Sequence, residues 1–257
     1  MKKAYPTILM YHGIIADQSS VPADRETGAG LYDVSAENFS TQMEFLKNHF
    51  YTVTVAEEAD LINKSKLLIT FDDGEKNNFQ SAFPVLKRCV FPAYFFITVE
   101  RIGKKGYMNW EELKELRDAN MFIGSHGLTH RILTELKEKE VEKELAQSKL
   151  ALEQNLKISV DYFSVPRGFY DARIIEMARR AGYKKIFTSA PGAPAEGFCL
   201  GRMAVKGDWN LKRFEQALSG EVPAGEDIFN FFKNAAKKVL GGRAYDNART
   251  SILKRKQ

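Results

Sequence analysis

Lys66-Leu67-Leu68-Ile69-Thr70-Phe71-Asp72-Asp73-Gly74-Glu75 is the stretch on which the fold reading turns. Leu67 to Phe71 form a nearly continuous apolar and β-branched run, the composition of a strand buried on both faces. Asp72 and Asp73 follow at once, so two carboxylates sit at the strand's C-terminal end. Adjacent acids there repel each other and lose hydration, and a bound cation or a shared proton relieves that cost. Gly74 permits the sharp exit such a placement needs. Asp-Gly is also a common turn pair, and on that reading the acids simply begin a solvated loop.

A second strand-to-loop passage, Ile123-Gly124-Ser125-His126-Gly127-Leu128-Thr129-His130, holds two of the chain's 4 histidines. Imidazoles separated by three residues can converge on one ion from a turn-like segment, and a carboxylate from another strand end completes a facial set of three. Asp73, His126 and His130 are therefore candidate ligands of a cation that keeps positions open for water and substrate. The competing reading is a histidine pair that caps loops. The double-Asp strand favours the cation.

Ile69 to Gly74 and Ser125 to His130 resemble, in order and spacing, the first two signature motifs of the polysaccharide deacetylases, the NodB-homology or carbohydrate esterase family 4. The resemblance covers roughly residues 5 to 220 and implies an α/β fold, a distorted (β/α) barrel of about seven parallel strands. It implies that Asp72 is the general base and that Asp73, His126 and His130 hold a divalent metal. Zinc is the expected ion, with cobalt, nickel and iron as alternatives.

Upstream, Pro6 to Met10 reads as the first barrel strand, ending in Tyr11-His12-Gly13. Parallel entry into a barrel puts His12 on the face of Asp72 and His126. No histidine follows His130, so the late Leu-x-His-Asp motif that gives many family members their general acid is missing. The branch acting on poly-N-acetylglucosamine takes its acid from an early Tyr-His motif, to which Tyr11-His12 is similar. His12 is the expected acid; otherwise it hydrogen-bonds within the site or the strand end.

Downstream, Tyr162 to Val165 reads as a strand leading into Pro166-Arg167-Gly168-Phe169-Tyr170-Asp171, which is similar to the family's third motif. That likeness nominates Arg167, Gly168 and Tyr170 for substrate or oxyanion contact, with a backbone N–H after the proline serving the oxyanion. Ser164 stands where the motif's orienting arginine would be. Arg202, beside a strand at Met203 to Val205, is the alternative partner for Asp72, although either arginine could make a structural salt bridge. Trp209, in a loose likeness to an Asp-Trp motif, and Trp110 are groove candidates; an aromatic residue near a helix start is more often core.

The remaining elements alternate as a parallel barrel requires. Helices are expected from Ser35 to about His49, Glu57 to Ile62, Asn77 to Lys87, from Asn109 onward, Leu136 to Leu156 and Asp171 to Gly182. Strands are expected at Tyr51 to Val55, Ala93 to Val99, Ile123 to Ser125 and Lys185 to Ser189. Asp17 to Tyr32 and Pro191 to Gly197 read as loops, the first above the active face. The Lys/Glu run in 136–156 reads as a solvated helix face.

With 257 residues, 44% of them hydrophobic, one barrel domain over 1–225 accounts for the core, and 226–257 reads as a basic amphipathic helix and tail. A net charge of +5, much of it in that tail, demands no nucleic-acid partner. The tail offers peripheral contact with anionic lipid, or packs on its own barrel. Cys89 and Cys199 read as buried free thiols. The N-terminus lacks an apolar signal core, so a cytoplasmic location is expected, with the inner membrane face as a variant. Function is expected to be N-deacetylation of an N-acetylated saccharide, polymeric, oligomeric or lipid-linked. The alternatives are an amidase or esterase on a non-sugar substrate, or a catalytically impaired carbohydrate-binding protein.

Overall fold

The computed structural model describes residues 7–49, 51–54, 66–189 and 197–220. The strands are β1 (Thr7–Tyr11), β2 (Ile14–Ile15), β3 (Val34–Ser35), β4 (Thr52–Val53), β5 (Lys66–Phe71), β6 (Tyr94–Ile97), β7 (Phe122–Ser125), β8 (Tyr162–Ser164), β9 (Lys185–Thr188), β10 (Cys199–Gly201) and β11 (Met203–Ala204). The helices are α1 (Ala36–Asn48), α2 (Phe83–Cys89), α3 (Trp110–Asp118), α4 (Glu138–Leu156), α5 (Ala172–Arg180) and α6 (Leu211–Ser219).

The main sheet runs β10-β9-β8-β7-β6-β5-β1-β11, with parallel pairing throughout. β10 and β11 are one chain passage interrupted at Arg202. Its first half pairs with β9 and its second with β1, so one segment closes the ring. The eight strands of that path are thus seven passages, the barrel expected from the sequence. β4 pairs with the N-terminal half of β5, and β2 and β3 form a separate parallel pair.

Strand alternation sorts the side chains into two cores. Ile8, Leu68, Tyr94, Phe96, Tyr162, Phe187 and Leu200 form one buried cluster, with Phe122 against it, and every barrel passage contributes: this is the lumen. The alternate residues, among them Leu9, Ile69, Phe71, Phe95, Ile123 and Phe163, face outward onto Phe39, Leu113, Leu145 and Ile174 of the helices. Full burial of each such side chain contributes ~1.5–3 kcal/mol. Gly124 is small because the lumen is full: a Cβ there would lie 2.5 Å from ring carbons of Phe96.

Four residues beyond three of these lumen positions, the same parity reaches the C-terminal mouth. From Ile8 it leads through Met10 to His12, from Leu68 through Thr70 to Asp72, and from Phe122 through Gly124 to His126. Side-chain caps define the helix starts: Ser35 caps α1, Asn109 and Glu112 form a capping box on α3, and Asp171 caps α5.

Some boundaries differ from expectation. The helix expected over 77–87 opens as a π-type turn, Asn78–Ala82, and becomes α2 only at Phe83, where Pro84 has no N–H to lose from an internal turn. Of the strand expected at 51–55, Thr52–Val53 form β4, while residue 55 lies outside the described residues. The expected helix at 57–62, most of the loop at 191–197 and the basic segment 226–257 with its lipid contact lie outside the described residues. Cys89 and Cys199 are buried and free. Among the described residues no helix is long and apolar enough to cross a membrane.

Candidate active site

One cavity at the barrel mouth is lined by His12, Asp72, Asp73, His126, His130 and Arg167, with Glu26, Thr27, Ala29 and Tyr32 from the 17–32 loop. The loop therefore walls the cleft, as its position suggests. Asp73, His126 and His130 bring one oxygen and two nitrogens within 4.8 Å of one another.

Local backbone geometry places these groups. Asp73 and Gly74 both take the left-handed region, with φ of 74° and 77°, turning the chain out of β5 with the second carboxylate still inside. His130 also has positive φ, 65°. A non-glycine residue there costs roughly 1–2 kcal/mol, which surrounding bonds must offset. Glu144 supplies such bonds. Its buried carboxylate accepts from Leu128 N at 2.8 Å, Thr129 N at 2.9 Å and the Thr129 hydroxyl, fixing the loop between the two histidines. Ser148, one turn along α4, bonds Ser125, whose Oγ accepts from Gly127 N.

The imidazoles differ in state. His126 Nδ1 lies 2.8 Å from the Ser164 carbonyl oxygen, which can only accept, so the hydrogen is on Nδ1 and Nε2 presents its lone pair 3.7 Å from Asp73 Oδ1. Burial pushes its pKa down to about 4. His130 sits between two carboxylates, Nε2 3.0 Å from Asp73 Oδ1 and Nδ1 2.6 Å from Glu26 Oε1. Burial opposes its charge, but Asp73 and Glu26 hold its pKa up at about 9. Burial likewise works against the Asp73 anion, yet His130 and His126 keep it well below the usual range. A buried acid with two imidazole nitrogens, one lone pair already fixed inward, fits a divalent metal.

Asp72 is gripped from within the lumen. Arg202, fully buried between the Phe96 and Phe187 rings, donates Nη1 to Asp72 Oδ1 and Nη2 to Oδ2, both at 2.7 Å. Nη2 also donates to Ser164 Oγ at 2.7 Å, and Ser164 Oγ donates to Asp72 Oδ2 at 3.1 Å. The serine at the motif's arginine position thus joins a guanidinium arriving from another strand. Despite burial, Arg202 holds the Asp72 pKa below normal. His12 shares the cavity, its ring 5.1 Å from that of Tyr32, and burial lowers its pKa against the pull of Asp73 and Asp72.

Of the other nominated residues, Arg167 lines the cavity and the rest fall elsewhere. Gly168 N donates to Val165 O, so that N–H is spent in the turn, and neither Gly168 nor Tyr170 lines the cavity; Tyr170 packs on the core. Arg167 lines the cavity with φ of 60°. Trp209 is only 5% exposed, in the core beneath Arg213, and Trp110 packs against the same core, so neither faces the cavity. Both follow helix-facing apolar positions rather than the mouth.

The run 136–156 is not wholly solvated. Glu144 and Ser148 lie on the same stripe as Val141, Leu145 and Leu152, and that spacing was the available signal for their burial. Glu26 and Arg101, bonded to each other at 2.8 Å, carried no comparable signal.

Two carboxylates, two imidazoles and a lumen arginine at the C-terminal mouth of a parallel barrel define a (β/α)-barrel protein with an acid–imidazole centre. The chain belongs to the polysaccharide deacetylase family. The family model for polysaccharide deacetylase matches residues 62–186. YxkH of Bacillus subtilis, whose name places it with polysaccharide deacetylases, is 30% identical over 199 residues, 75% of this chain and 67% of that protein. A poly-beta-1,6-N-acetyl-D-glucosamine N-deacetylase of Staphylococcus aureus is 26% identical over 178 residues, and the chain spans only 61% of its length, the same share of this chain being matched. A crystal structure of a polysaccharide deacetylase from Bacillus cereus superposes with a TM-score of 0.71 at 28% identity, covering 83% of this chain and 69% of that one.

Proposed function

We propose that this chain is a metal-dependent hydrolase that removes the N-acetyl group from an N-acetylated sugar of a polysaccharide, oligosaccharide or lipid-linked glycan precursor. The observation carrying this reading is the Arg202-bound Asp72 carboxylate beside the Asp73, His126 and His130 cluster, in one cavity with His12. A divalent metal, zinc foremost, held by Asp73, His126 and His130 would supply Lewis acidity towards the amide carbonyl and towards water.

The chain's own groups supply the proton chemistry. Asp72, kept ionised by Arg202, accepts the proton of the attacking water. Ser164, which donates to Asp72 Oδ2, helps Arg202 hold that carboxylate in place. The tetrahedral intermediate collapses by breaking the C–N bond, and the departing nitrogen takes a proton at the cavity wall where His12 lies. The proton that Asp72 takes from the water passes through the His12 imidazole to that nitrogen, which leaves Asp72 ionised again. Arg167, which lines the cavity, would contact the saccharide or the carbonyl oxygen. A binding-only reading would need no base, and the pairing of Arg202 with Asp72 speaks against one of its two grounds, the displaced arginine; the missing late histidine is the other.

Acetate release from N-acetylated oligosaccharides, O-acetyl esters and simple N-acetyl amides by the zinc-loaded protein tests the assignment. Release from the saccharide, lost with chelator and in Asp72→Asn, supports it. Preference for esters or simple amides would reassign the substrate, and full activity of Asp72→Asn would reject the base.

A further inference from the structure

The groups around His130 close into a ring of alternating charge, two of whose members, Glu26 and Arg101, the mechanism does not use. Asp73 Oδ1 lies 3.0 Å from His130 Nε2, and His130 Nδ1 lies 2.6 Å from Glu26 Oε1. Glu26 Oε1 accepts from Arg101 Nη2 at 2.8 Å, and Arg101 Nη1 donates back to Asp73 Oδ1 at 3.0 Å. Three members come from the barrel's strand ends and the turns beyond them; Glu26 alone comes from the wall loop.

Its neighbours fasten that loop too. Asp24 accepts from the Tyr107 hydroxyl at 2.9 Å, and Arg25 Nε lies 2.8 Å from Glu75 Oε1 while the same guanidinium bonds Asp33. Three consecutive side chains therefore seat the loop, and the third reaches an imidazole of the cluster. A carboxylate 2.6 Å from Nδ1 restrains ring rotation and favours the hydrogen on that nitrogen, which leaves Nε2 as the metal-facing atom.

We propose that Glu26 is a positioning residue that couples the seating of the 17–32 loop to occupation of the metal centre, through its hold on Nδ1 of His130. This rests on Asp73, His126 and His130 being the metal ligands. Coupling of this kind is reciprocal: a seated loop tightens metal binding, and the metal orders the loop. Thr27, Ala29 and Tyr32 ride on the same loop, so metal uptake also sets the wall against which a sugar would lie.

The test uses the full chain, with zinc affinity measured by competition with a chromophoric chelator and hydrogen exchange followed over residues 24–33 with and without zinc. Glu26→Ala should bind zinc roughly 10–100-fold more weakly while still melting cooperatively in chelator, at a lower temperature because Arg101 loses a partner. Zinc should slow exchange of the loop in the wild type and not in Glu26→Ala. Glu26→Gln, which keeps an oxygen facing Nδ1 without the charge, should recover part of both effects. Unchanged zinc affinity in Glu26→Ala, or loop exchange in the wild type that ignores zinc, would overturn the coupling. His126→Ala separates the two levels: if it binds zinc as tightly as the wild type, the ligand assignment itself is wrong and the coupling falls with it.

Discussion

The Arg202 guanidinium and the Asp72 carboxylate face each other as a two-pronged pair inside the barrel lumen, both bonds 2.7 Å long. Removing one member of a buried pair strands the other's charge, at a cost of about 3–5 kcal/mol. Arg202→Met should lose that much stability in urea unfolding. It should also move the acidic limb of the kcat/KM profile to higher pH, because burial raises the Asp72 pKa and Arg202 opposes it. Arg202→Lys keeps the charge but not the fork and should fall between.

Glu144 is expected to matter to activity although it does not line the active-site cavity. Glu144→Ala leaves the N–H groups of Leu128 and Thr129 without their acceptor, an expected loss of about 1–3 kcal/mol. Thermal unfolding reads the stability, and acetate release should fall with kcat more than with KM, since the histidine loop rather than the sugar wall is disturbed.

Glu75 gives a pH signature. Burial raises its pKa to about 7 from a model-compound value of 4.5, outweighing Arg25. A raised folded pKa means the group's contribution is full below about 4.5 and is lost as pH rises through about 7. Melting temperatures across pH 4.5 to 8 should therefore shift in favour of Glu75→Gln relative to wild type as pH rises, with the gap levelling above about 7.

Gly124 tests the lumen packing. A methyl group there meets the Phe96 ring, so Gly124→Ala should destabilise by about 1–3 kcal/mol in denaturant unfolding.

Much of this was legible in the sequence because it depends on local pattern. The apolar run before Asp72 and the His-x-x-x-His spacing name a strand end and a ligand pair without any knowledge of distant contacts, and strand parity carries His12 to the same mouth. The partner of Asp72 was only half legible. Arg202 is adjacent to a strand, but its choice over Arg167 depends on which passage closes the barrel, a fact of register between chain ends far apart in sequence. Trp209 was misplaced for the same reason: its core position follows from α1 and α6 packing together, with Asn38 Nδ2 donating to Trp209 O at 2.6 Å. Glu26 and Arg101 meet only through the path of a long loop, which no periodicity encodes.

The centre itself is tested most directly by a crystal structure of the zinc-soaked protein with anomalous data across the zinc edge. The account predicts one strong peak coordinated by Asp73, His126 and His130, with Asp72 still paired to Arg202 and turned to the metal's open side. A peak held by other residues, or no peak at this cluster at saturating zinc, would contradict it.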